Sequence, residues 1–141
     1  MYTSTSQEAS SNVENMSVEV FNPQERLSQI NSWLRQYDLS PVEAWQVPQT
    51  AFMLQDNEKD IASVFLYATD SGICWLEGVI VNPLFKGKLQ KHFHYARVFI
   101  EETAQQMGFK QIQIRTHIHK RQFESAGYTL SKRCNILNKV L

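Results

Sequence analysis

The chain has 141 residues, about one domain, and is long enough to bury a core without disulfide or metal staples. Its composition, 43% hydrophobic and 11% aromatic, is that of a soluble globular protein. No apolar run approaches the ~18 residues of a membrane span, and the polar, Ser/Thr-rich start does not read as a signal peptide. Cys74 and Cys134 stand in no metal-ligand spacing, so a reduced, cytoplasmic setting is expected. A formal net charge of zero conceals a division. Up to Glu77 there are eleven acids against three basic residues, and from Gly78 onward eleven basic residues against three acids. Such asymmetry points to an anionic ligand or partner at the C-terminal half, or to a solvated polar surface.

Residues 1–16 lack periodicity and large apolar side chains and read as a disordered tail, with the domain following over 17–141. Residues 17–21 alternate as a short strand. Asn22-Pro23 opens a helix, with Asn as cap and Pro at the first position, and Leu27, Ile30, Trp33 and Leu34 form its apolar stripe. Residues 37–48, with two prolines, read as a loop holding a short helical turn. Residues 50–54 and 61–69 are two strands joined by a turn at 56–59. After the turn Asp70-Ser71-Gly72, residues 73–81 are apolar on both faces except at Glu77, the pattern of a doubly covered strand.

Beyond Asn82-Pro83 the period changes. Leu89, Phe93, Ala96, Ile100, Ala104 and Met107 fall at helical spacing, and Gly108 suits the stop. Residues 110–116 alternate as a strand, 119–126 read as a short helix stopped by Gly127, and 128–141 hold one or two last strands. The expected class is α+β, in the order β-α-β-β-β-α-β-α-β-β.

Within that order the segment Val81-Asn82-Pro83-Leu84-Phe85-Lys86-Gly87-Lys88 resembles the heart of a GNAT N-acetyltransferase domain. There the central strand ends in Val-x-Pro, followed by an aromatic residue and Arg-Gly-Lys. Some forty residues on, Phe123-Glu124-Ser125-Ala126-Gly127-Tyr128 resembles the family's Tyr-Glu-x-x-Gly-Phe. The resemblance covers residues 17–141. It implies a mixed, splayed sheet flanked by helices, whose fourth and fifth strands diverge to admit acetyl-CoA for acyl transfer to an amine.

The resemblance assigns coenzyme binding to Val79, Val81, Lys86, Gly87, Lys88 and Lys91. The family loop Arg/Gln-x-x-Gly-x-Gly/Ala cradles pyrophosphate on backbone N–H groups at a helix N-terminus. Lys86 takes its first position, but Leu89 and Lys91 replace its two small residues. Weak or absent acetyl-CoA binding is therefore expected. Glu77 is the candidate base: a carboxylate in an apolar strand is costly to bury, and burial would raise its pKa toward a useful value. A pairing across the sheet, or exposure at a bulge, is the alternative. Phe123 stands where the family commonly carries the Tyr that protonates the leaving thiolate, while Tyr128 reads as core.

No metal site is assigned. His117 and His119 share a strand face, but without acidic or cysteine partners they are a thin signal, as are His92 and His94. Trp33, Trp45 and Trp75 read as packing residues. Two functions remain. The first is a non-catalytic structural or interaction module with a degenerate coenzyme loop and a protein partner. Small GNAT-like proteins of this kind occur in bacteriophages, which makes a virion setting a further expectation. The second is an acetyl-CoA-dependent N-acetyltransferase acting on a small amine or a protein amino group. Basic residues with little aromatic interleaving make nucleic acid a poor partner.

Overall fold

The computed structural model describes residues 15–87, 90–115, 120–130 and 137–141, with backbone alone at Gln90, Lys91 and Lys120. Five strands form one sheet in sequence order: β1 Met16–Phe21, β2 Thr50–Asp56, β3 Lys59–Ala68, β4 Ile73–Val81 and β5 Gln111–Ile114. The first four pair antiparallel, and β5 joins β4 in parallel. Three helices complete the order: α1 Leu27–Gln36, α2 Gln90–Gln106 and α3 Lys120–Ser125.

The expected α1 start is present in modified form. Asn22 Oδ1 accepts from Gln24 N at 2.9 Å, but the first turn, Pro23–Arg26, is 3-10 before the helix proper begins. Ile30, Trp33 and Leu34 of α1 bury their stripe against Phe21, Ala51, Met53 and Phe65 on one sheet face. Burial of this kind stabilises by about 2 kcal/mol per large side chain. The opposite face packs Phe52, Leu66, Cys74 and Leu76 against Ile100 and Ala104 of α2. Alternation along the strands thus sorts one sheet between two helical layers.

Two boundaries differ from the sequence reading. Met16, assigned to the tail, is the first residue of β1 and only 2% exposed, packed with Leu54, Ile61, Ala62 and Tyr95. A single methionine after a polar run carries no period, so its burial was not visible from pattern. At the other end, residues 128–130 and 137–141 form no strand, and residues 131–136 lie outside the described part. Leu130, Leu137 and Val140 are exposed, so the described part of this stretch buries no alternating face. Trp45, expected to pack, is 66% exposed in the 3-10 turn Ala44–Gln46, with its indole N–H donating to Glu43 Oε2 at 2.7 Å.

Candidate functional site

Among the described residues the sheet opens after Leu76, where the pairing of β4 with β5 ends. Their parallel pairing covers Ile73 to Leu76 against Gln111 to Ile114, whereas β4 runs on through Val81. At the point of parting β4 is bulged: Phe65 of β3 faces Glu77, Ser63 faces Ile80, and the register shifts between them. Gly78 makes the bulge with φ +66. A Cβ there would lie 2.5 Å from Phe65 Cδ2, so both the backbone conformation and the overlying ring require glycine.

Alternation places Cys74 and Leu76 on the α2 face and Trp75 and Glu77 on the α1 face. Glu77 lies at the mouth of the opening with its side chain 30% exposed, not buried in the strand as one sequence expectation had it. Arg115, the residue immediately after β5, donates from Nη1 to Glu77 Oε1 at 2.8 Å. Its guanidinium carbon also sits 4.5 Å over the Trp75 ring. Tyr67, opposite Trp75 on β3, directs its hydroxyl to Gln46 O at 3.3 Å. Its pKa is raised, chiefly by burial and then by the Glu77 charge. The pairing of Glu77 across the sheet, one of its alternatives, is the arrangement found.

On the α2 face the opening is lined by rings. Phe93 of α2 meets Phe123 of α3 edge-on, with centroids 4.8 Å apart, and Phe123 meets Tyr128 at 5.1 Å. Tyr128 is half-buried, its hydroxyl donating to Glu101 Oε2 at 2.7 Å. Glu101 also receives Arg97 Nη1 at 2.8 Å. Behind these rings, bounded by Leu76, Val79, Ile100 and Ile114, remains an apolar cavity of about 80 Å³. A second, more open cavity of about 1380 Å³ lies beside β5, lined by Trp75, Ile114, Arg115, Phe123 and Tyr128 among others.

Of the residues expected to hold coenzyme, Val79, Val81, Lys86 and Gly87 are described in full. Val79 lines that cavity from β4. Val81 O accepts the Tyr37 hydroxyl at 2.9 Å, so this carbonyl is engaged within the fold. Lys86 Nζ rests 5.7 Å from the centre of the Tyr37 ring. Gly87 has a positive φ, +81. Lys88, Leu89 and the Lys91 side chain lie outside the described residues, and so do His117 and His119. His92 is 2% exposed, with Nε2 3.0 Å from Asp56 Oδ2, while exposed His94 accepts from Arg97 Nη2 at 3.1 Å. Among the described residues no group of three or more His, Cys, Asp or Glu could hold a metal ion.

Arg115, Trp75 and Tyr67 did not stand out in the sequence as members of a site. Arg115 is 38 residues from Glu77, and only the parallel register of β4 with β5 brings them together.

No family model matches the sequence, and no curated protein matches it. Solved structures do. The chain superposes on a ribosomal-protein-alanine N-acetyltransferase from Brucella melitensis biovar Abortus 2308 with a TM-score of 0.62 and 9% identity, covering 89% of this chain and 99% of that one. It superposes on Rv2747 from Mycobacterium tuberculosis, solved in complex with CoA, at TM-score 0.61 and 15% identity, over 86% and 76% of the two chains. An aminoglycoside acetyltransferase from an uncultured soil metagenomic sample, solved with sisomicin, gives TM-score 0.57 and 10% identity over 91% and 97%. At these identities the likeness establishes a common fold, and function has to be argued from the site.

Proposed function

We propose that this chain, which has the fold of the GNAT acetyltransferases, is a non-catalytic interaction module. The observation that carries the reading is the state of the β4–β5 opening. In acetyl-CoA-dependent members that opening admits the coenzyme. Here the Glu77–Arg115 pair bridges one side, and the Phe93–Phe123–Tyr128 rings leave about 80 Å³ on the other. Further support comes from Phe123 at the position of the acidic Tyr, from Leu89 and Lys91 in the phosphate loop, and from Val81 O already bonded to Tyr37. Each bears on one of the things acyl transfer needs: a place for the pantetheine arm, a proton donor, a close backbone approach, or an accessible base.

A module needs a surface for its partner. The loop between α1 and β2 presents Leu39 and Trp45, 56% and 66% exposed. The Trp45 indole is fixed by Glu43, whose side chain and that of Gln46 close a reciprocal cap around the turn. A rigid exposed tryptophan is the residue type that most often anchors a protein interface. The partner is a protein in an assembly. A bacteriophage particle is the assembly suggested by the small, degenerate members that the sequence resembles. Among the described residues no helix is long and apolar enough to cross a membrane.

Calorimetric titration with acetyl-CoA tests this reading. The expected result is no saturable heat, together with no rise in Tm at millimolar coenzyme, since a ligand that binds the native state must raise it. Saturable binding with thioester turnover that disappears in Glu77→Gln would establish the N-acetyltransferase reading instead. The fold, and the CoA seen with Rv2747, keep that reading as the alternative.

A further inference from the structure

The Glu77–Arg115 pair has a chemistry of its own, apart from any coenzyme. Two opposite charges project side by side on the α1 face, both partly in water, at 30% and 45% exposure. The Trp75 ring lies beneath the guanidinium, and Tyr67 flanks Trp75 in the strand register. An ion pair this exposed contributes little to stability, so opening it costs correspondingly little. An outward rotation of Arg115 would uncover a carboxylate, a guanidinium and the face of an indole within one small area.

We propose that this is a binding site for a free α-amino acid, whose ammonium pairs with Glu77 and whose carboxylate pairs with Arg115. The argument is one of charge matching. A simple amine can reach Glu77 only by displacing Arg115, which leaves two cations competing for one carboxylate. A simple carboxylate reaching Arg115 strands Glu77 in the same way. A zwitterion replaces the single internal pair by two charge-assisted pairs and leaves neither protein group alone. The guanidinium offers a fork that fits a carboxylate, and the half-buried Trp75 ring, uncovered when the guanidinium moves, receives the ligand's Cα or side chain. The site goes beyond the module reading and does not depend on it, since amino-acid binding needs neither coenzyme nor acyl transfer.

The test is a titration of the full chain, following Trp fluorescence and Tm, with glycine, L-leucine and L-glutamate. Each is compared with its amide and its N-acetyl form, which lack one of the two charges. The expected result is saturable binding of the free amino acids, about tenfold or more tighter than either blocked form, the loss associated with one charged hydrogen bond. In Arg115→Gln the amino acid and its amide should bind alike. In Glu77→Gln the amino acid and its N-acetyl form should bind alike. Equal binding of free and blocked forms to the wild type overturns the proposal, as does the absence of any response to the three amino acids. Discrimination that survives in Arg115→Gln, shown folded by circular dichroism, does the same. Should either variant fail to fold, the wild-type series decides alone. Acetyl-CoA is left out of these titrations, so their outcome is separate from that of the coenzyme experiment.

Discussion

Gly78 is the residue on which the opening turns. Any side chain there meets Phe65 at 2.5 Å while holding a φ of +66. Left-handed backbone costs roughly 1–2 kcal/mol for an L-residue and overpacking about 1–3 more, so Gly78→Ala should destabilise by about 3 kcal/mol in urea unfolding. A loss below about 1 kcal/mol would mean that Phe65 moves aside freely and the bulge is soft. Tyr128 makes a second prediction, in pH. Burial, and then the hydrogen bond to Glu101 and its charge, push the phenol far above its ordinary value near 10. The unfolded chain releases that proton near pH 10 and the folded chain keeps it. The Tyr128 contribution is therefore complete below about pH 10 and falls as pH rises further. Tyr37, Tyr67 and Cys74, all raised by burial, act with the same sign. Tyr128→Phe should flatten the loss of stability between about pH 9 and pH 11, read from urea midpoints at each pH. An unchanged slope would place the alkaline sensitivity in the other three groups.

At the scale of elements, the first strand is bound to the long helix. Tyr95 of α2 donates its buried hydroxyl to Met16 O at 3.1 Å, and Asn57 N in the β2–β3 turn donates to Asn15 O at 3.1 Å. Deleting residues 1–14 should leave Tm essentially unchanged if they form the tail that their composition indicates. Deleting two residues more should cost about 2–5 kcal/mol, because it removes a buried methionine and the acceptor of Tyr95. Equal stability of the two truncations would show that Met16 is dispensable. The strands and helices themselves were legible, since Ile30, Trp33 and Leu34, or Phe93, Ile100 and Ala104, repeat at periods that only one kind of element satisfies. Met16 was not legible, because one residue has no period. Glu77 was found because a charge interrupts an apolar run. Its partner was not, because the alternation of β5 reveals a strand but not the register that sets Arg115 beside Glu77. Gly78 lay in plain view, yet a bulge is a property of two strands at once. Phe123 was read as a missing hydroxyl, and its packing on Phe93 depends on the approach of α2 and α3, which no local pattern encodes.

For the molecule as a whole, the division between an acidic first half and a basic second half is answered partly within the fold. Arg115 from the basic half holds Glu77 from the acidic one. The order of the strands carries a further consequence, for the route by which the sheet is made. The turn between β2 and β3 is two residues, Asn57 and Glu58, both with positive φ, and β3 and β4 are joined by residues 69–72. These are nearest-neighbour hairpins with little loop entropy to overcome. The parallel β4–β5 contact must instead close residues 82–110 and dock α2 on the way. Non-local pairing of this kind is slow. The hairpins should therefore form the nucleus and β5 should join after the rate-limiting barrier. Stopped-flow measurements should find that Ile61→Val in β3 slows folding, whereas Ile112→Val in β5 chiefly speeds unfolding. The reverse pattern would put β5 in the nucleus. With β5 arriving late, the gap at Glu77 is the last part of the sheet to be fixed, and on the return path it is where the sheet first comes undone.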